Sequence, residues 1–295
     1  MKINERVMLK LTILLLLSIS AIFWWRHTQS WNFWHTNPTP TLQAKAPKNV
    51  SPSLKEIKEE IWEFPLGDKV VKAVMYQVGD YKQEVYFNMH DNENTCVDAT
   101  KQIIQEFGGR FVELQHGGAR EISFRINGVL YKVDPNRIYT YKGVEATLRN
   151  YGSYSAEAHE AVYQFGQALI AKILADAQMV VAMHNNFNTK TFSVYSFATG
   201  GVFDVDASDT FITNTMGSGD FFYVTTEQFF KFFKEKNINA VLQDNSNVTD
   251  DGSLAVYCGQ QNIPYINCEA EHGHLTQQVE MLRAMQPLWA TKNQK

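Results

Sequence analysis

Val85-Tyr86-Phe87-Asn88-Met89-His90-Asp91-Asn92-Glu93 and Met179-Val180-Val181-Ala182-Met183-His184-Asn185 are built the same way. Each is a short apolar run that ends on a histidine. A run of that length suits a buried strand. A histidine at its end is carried to the sheet rim, where loops begin and ligands collect in α/β folds. His90 and Glu93 stand three residues apart in the turn, and His184 follows 184 − 90 = 94 residues later. Two imidazoles and one carboxylate form a catalytic zinc set that leaves a fourth position open for water. The plain alternative makes both histidines strand-end residues bonded to backbone.

Working outward, strand-like and helix-like segments alternate. Val70–Gln77, Phe111–Leu114, Glu121–Ile126, Val129–Val133, Ala240–Leu242 and Tyr265–Asn267 read as strands, and Asn127-Gly128 marks a hairpin turn. Thr95–Phe107, Ala156–Ala175, Thr226–Lys236, Ser253–Gln261 and Leu275–Met285 read as helices, and Ser53–Trp62 has a helical look with Ser53 as cap. The pattern predicts an α/β domain over residues 53–295, with a mixed, mostly parallel sheet and helices on both faces. Met216-Gly217-Ser218-Gly219-Asp220 lacks phosphate-loop spacing and reads as a flexible loop.

Two further strand ends carry polar groups. Tyr131-Lys132-Val133 runs into Asp134-Pro135-Asn136-Arg137, and Tyr265-Ile266-Asn267 runs into Cys268-Glu269-Ala270-Glu271. The planar fork of Arg137 matches a carboxylate in two bonds. The chain order is therefore His-x-x-Glu, Asn-Arg, His, Glu. In that order and context residues 84–273 resemble the zinc carboxypeptidases of the carboxypeptidase A type, with their succinylglutamate desuccinylase and aspartoacylase relatives. The resemblance implies a zinc-carboxypeptidase-like fold and zinc on His90, Glu93 and His184. It implies a substrate carboxylate on Asn136 and Arg137, and Glu269 as general base. Pro135 departs from the usual residue between the Asp and the Asn. An oxyanion-stabilising arginine is implied upstream, and Arg120, in a turn after Gly117-Gly118-Ala119, suits it better than Arg125 inside a strand. Glu271 is the rival to Glu269. Asp251 and Ser253 read as helix caps or pocket residues, and Asn185 and Asn186 could orient substrate.

The expected activity is hydrolysis of an amide bond in a small peptide or amino-acid conjugate with a free carboxylate, a cell-wall peptide being one such class. The rivals are a deacylase of N-acyl amino acids and an anchored peptide-binding module without catalysis. Composition supports a globular domain: 44% hydrophobic, net charge −4. With no concentrated basic face, nucleic acid is not expected as a partner. Three cysteines are too few for a disulfide framework, though Cys258 and Cys268 could pair in an oxidising compartment.

Lys2, Arg6 and Lys10 precede the apolar run Leu11–Trp25, and residues 26–52 contain prolines at 38, 40, 47 and 52. Cations before an apolar run read as a membrane anchor or a cleaved export signal, with the terminal tryptophans favouring the anchor. The proline-rich stretch reads as a linker. The domain would then sit on the periplasmic side of an inner membrane, or be secreted. Proteolysis within residues 26–52 is expected to release the domain from membranes, and an unprocessed chain that fractionates as fully soluble would refute the anchor.

Overall fold

The computed structural model describes residues 55–80, 83–187 and 192–290. Leu11–Trp25, Ser53 and the whole linker, residues 26–52, lie outside these. Among the described residues no helix is long and apolar enough to cross a membrane.

The strands are β1 (Lys58–Leu66), β2 (Lys69–Val78), β3 (Glu84–Asn88), β4 (Gly109–Gln115), β5 (Ile122–Ile126), β6 (Val129–Val133), β7 (Met179–Asn186), β8 (Ala207–Phe211), β9 (Phe221–Val224), β10 (Ala240–Gln243) and β11 (Tyr265–Glu271). The helices are α1 (Asn94–Phe107), α2 (Tyr141–Asn150), α3 (Ala156–Leu174), α4 (Glu227–Glu235), α5 (Leu254–Gln260), α6 (Leu275–Met285) and α7 (Pro287–Ala290). Nine strands form one mixed sheet in the order β1-β2-β4-β3-β7-β11-β9-β10-β8, and β5 and β6 form a separate hairpin. Parallel pairing runs through the centre, β4-β3-β7-β11, and recurs between β9 and β10. The remaining pairings are antiparallel.

Every residue of β3 and β7 is buried, as strands covered on both faces must be. The core is accordingly split in two. On one face Val180, Ala182 and Tyr265 pack with α2, α3, α5 and the hairpin. On the other Val181, Met183, Ile266 and Cys268 pack with α1, α4 and α6. Alternation along β7 and β11 therefore sends His184 and Glu269 to the hairpin side and Asn185 to the α1–α6 side.

The helical expectation for Ser53–Trp62 is overturned, because Lys58–Trp62 opens the edge strand β1. Ile61 is 60% exposed there, and the charged residues around it serve an unpaired sheet edge. Cys258 and Cys268 cannot form the pair considered above: both thiols are free, and they lie in the two separate cores. The glycine loop 216–220 is tied down by bonds from Asn239 Nδ2 to Gly217 O and from Asn186 Nδ2 to Gly219 O.

The hairpin turns at Asn127 and Gly128, both with positive φ (52° and 81°), the primed geometry that matches strand twist. Its two feet carry Arg120 and Asp134. Beneath it, α2 crosses the loop before α5 at a backbone contact. A Cβ on Gly143 would fall inside Gly252 Cα, and one on Gly252 would press on Arg137 O at 2.6 Å. Gly143→Ala is therefore expected to push back the 250–253 loop and cost about 1–3 kcal/mol as overpacking. Thermal unfolding should show this, with a raised KM for any substrate that Arg137 holds.

Candidate metal centre

The C-terminal ends of β3, β7 and β11 meet at one cavity of about 720 Å³. His90 and Glu93 leave β3, and His184 stands on β7 beside Glu269 of β11 in direct register. His90 Nδ1 lies 2.9 Å from Glu93 Oε1 and 3.1 Å from His184 Nδ1, and His184 Nδ1 lies 3.1 Å from Glu93 Oε2. All three residues are buried. Four-coordinate zinc with bonds near 2.0–2.1 Å spaces its ligand atoms by about 3.4 Å. The cluster is thus within a few tenths of an ångström of that spacing.

The surrounding bonds fix what these atoms offer. His90 Nε2 sits 2.8 Å from Asp134 Oδ1. The carboxylate can only accept, so it draws the proton to Nε2 and leaves the Nδ1 lone pair facing the cluster, the outer support usual for a ligating histidine. His184 Nε2 is buried with no partner. Burial alone would depress His90, but the Glu93 charge and the bonds to Asp134 and Glu93 overcome it and raise its pKa to about 9. Burial would raise Glu93, yet the two imidazoles hold its carboxyl well below the usual range. Three lone-pair donors converging in a buried space suit a cation. The raised pKa favours a proton on His90, and Arg120 Nη1 lies 2.6 Å from Glu93 Oε1. The donor set fits zinc.

Arg120 also reaches Asp134 Oδ2 at 3.4 Å, and burial is outweighed by Asp134 and Glu93, which raise its pKa. Arg125 instead braces the hairpin, with Nη1 donating to Gly128 O, and does not line the cavity. The loop that carries Arg120 is held by Asp91, whose Oδ2 accepts from the amides of His116, Gly117 and Gly118 at 2.6, 2.7 and 2.7 Å. Three amides on one carboxylate oxygen make a backbone nest. Asp91 carried no recognisable role in the sequence. The only hint was Gly117-Gly118, whose positive φ (115° and 72°) permits the nest.

Glu269 is buried, and both its oxygens are held by amides: Oε1 by Asn267 Nδ2 at 3.1 Å and Oε2 by Asn186 Nδ2 at 3.0 Å. Glu271, on the next strand position of the same parity, lies outside the cavity wall near Asp220 and His274. Arg137 lines the cavity and pairs with Asp251 at 3.4 Å. Asn136 Oδ1 accepts from Leu254 N, the first amide of α5. Ser253 caps that helix, and Asp251 both accepts from Ser253 N and meets Arg137, so the capping and pocket readings hold together. Tyr257 packs against the core and is not in the cavity. Aromatic residues form the far wall, with Phe197 within 5.2–6.0 Å of Phe203, Phe221 and Tyr223.

No family model and no curated protein matches the chain by sequence. Solved structures do resemble it. One is a succinylglutamate desuccinylase/aspartoacylase from Rhodobacter sphaeroides, at 11% identity and TM-score 0.41, over 83% of this chain and 69% of that one. Another is a metallo-carboxypeptidase from Burkholderia cenocepacia, at 12% and 0.40, over 79% of this chain and 65% of that one. A third is thrombin activatable fibrinolysis inhibitor, at 10% and 0.42, over 76% and 67%. So distant a likeness carries no weight for chemistry, which rests on the residues described above.

One zinc per chain is expected, with near-total loss in His184→Ala, since two ligands rarely hold the ion against water. Because His90 holds a proton up to about pH 9 without metal, zinc uptake near neutral pH should release about one proton from this group. Metal analysis and calorimetry in buffers of different ionisation enthalpy check both.

Proposed function

We propose that the chain is a zinc-dependent amide hydrolase of the metallocarboxypeptidase kind, acting on a small peptide or amino-acid conjugate with a free carboxylate. One observation carries the reading: the His90–Glu93–His184 cluster, Glu269, Arg120 and Arg137 all line a single cavity. A zinc ion bound by the cluster would supply a Lewis acid that polarises a carbonyl and makes water more acidic.

The chain's own residues supply the rest. Glu269 stands one strand from His184, and its carboxylate is oriented by Asn186 and Asn267. It takes a proton from water and passes it to the departing amine. Arg120, held in place by the Asp91 nest, presents a cation to the oxygen on which negative charge develops, an effect of about 3 kcal/mol for one well-placed donor. Arg137 binds the carboxylate of the leaving residue in place of Asp251, and its planar fork favours two parallel bonds. The aromatic wall covers the apolar part of the substrate and excludes water.

The carboxylate-bearing leaving group is common to a peptide and an N-acyl amino acid. A panel of both, assayed with and without added zinc, distinguishes peptidase from deacylase, and activity on neither would point to the binding-module alternative. We also propose the membrane-anchored, periplasm-facing or secreted placement, on the strength of residues 1–52 alone.

Glu269→Gln preserves shape and removes the proton acceptor. It is expected to retain zinc and lose roughly 100-fold or more in kcat, while Glu271→Gln stays near the parent. Inactivity in Glu271→Gln with full activity in Glu269→Gln would move the base. Arg137→Ala should raise KM and abolish the preference for a free acid over its amide. An unchanged acid-to-amide ratio would remove Arg137 as the clamp.

A further inference from the structure

Glu93 occupies the N-cap position of α1, yet its side chain makes no capping bond. A cap is normally worth about 1 kcal/mol, through a bond to the second or third amide of the helix. Here that bond comes from another strand: Asn185 Oδ1 accepts from Cys96 N, the third amide of α1, at 2.8 Å. The backbone N–H of Asn185 donates to Glu93 Oε2 at 2.9 Å. One residue thus takes over the cap and orients the carboxylate that is excused from it.

Asn185 borders the cavity, yet its side chain lies on the α1–α6 side of the sheet, against Cys96 N and Gln278. It is 5% exposed, and its Nδ2 donates to Gln278 Oε1 at 3.0 Å. Gln278 comes from α6 and is fully buried. Its Nε2 donates to His184 O at 3.1 Å and reaches Cys268 O at 3.4 Å. Two primary amides buried behind a sheet cost desolvation that apolar residues would avoid. Their side-chain bonds run to the backbone of His184, to the third amide of the helix that Glu93 opens, and to the strand that carries Glu269, while the Asn185 backbone amide holds the Glu93 carboxylate.

We propose that Asn185 and Gln278 are a positioning pair that keeps Glu93 and His184 converged before any metal arrives. The inference rests on the metal-centre reading. Gln278 touches no ligand side chain and lies outside the cavity wall, so its effect reaches the ion through Asn185 and the His184 backbone. Asp134 supports His90 from the front of the sheet; the amide pair supports the other two ligands from behind.

The test uses the full chain stripped of metal, with zinc alone as the probe in competition with a chromogenic chelator. Gln278→Met keeps length and apolar fit while removing every side-chain hydrogen bond. It should weaken zinc by about 10–100-fold, the usual effect of an outer-shell change. Val279→Ala, a neighbouring buried change on the same helix, should lower thermal stability and leave zinc affinity as in the parent. Asn185→Ala should weaken zinc as well, and the double variant should bind no worse than the weaker single, as members of one unit do. Amide exchange in the metal-free protein gives a second readout, with the Asn185 and Cys96 amides exchanging about tenfold faster or more in Gln278→Met. Parent-like zinc binding in Gln278→Met, or a loss no larger than that of Val279→Ala, overturns the inference. A parent that binds no zinc sinks the metal centre instead, and unchanged amide exchange then overturns the positioning pair by itself.

Discussion

The structure turns on one buried carboxylate. Glu93 is 1% exposed, and a bare charge in that position would be prohibitively costly. It is tolerated because each oxygen has donors: His90 and Arg120 at Oε1, His184 and the Asn185 amide at Oε2. Those partners come from β3, from the loop before the hairpin and from β7. Satisfying this charge brings together three parts of the chain that are far apart in sequence.

Much else follows as support for that arrangement. Strand pairing sets His184 beside Glu269. Asp134 fixes the tautomer of His90 while its own backbone is held by Thr147 of α2. Asp91 gathers three amides so that the Arg120 loop closes over the ligands. Each support is a polar group whose partner is backbone or charge. In a semi-buried site such bonds are worth more than at the surface, and a missing partner costs more.

The positions of the candidate ligands and of Arg137 were legible because strands advertise themselves. Val85–Met89 and Met179–Met183 are mostly apolar runs too short for helices, and each is followed at once by a candidate histidine. The supports were not legible, because their contacts are tertiary: Asp91 with the 116–118 amides, and Asn185 with Gln278, a pair 278 − 185 = 93 residues apart. Lys58–Trp62 misled for a different reason. Ile57 and Ile61, four apart among charges, mimic a helical stripe. The two-residue alternation of Trp62, Phe64 and Leu66 that marks an edge strand begins only at the end of the segment. Helix α2 escaped notice because Gly143 weakens its pattern, and the glycine is needed where two backbones touch. Strand β9 is only four residues long and buried throughout, so it carries no alternation to mark it as a strand.

Under the proposed function, the ion pair between Arg137 and Asp251 would give a substrate carboxylate a tethered rival. A carboxylate fixed on the adjacent loop is present at high effective concentration, so an acid drawn to Arg137 would have to displace it. The guanidinium is also held by its Nη1, which donates to Asn136 O at 2.7 Å. If the proposed function holds, the contact with Asp251 would be self-inhibitory, and selectivity would lie in how readily each ligand makes it yield.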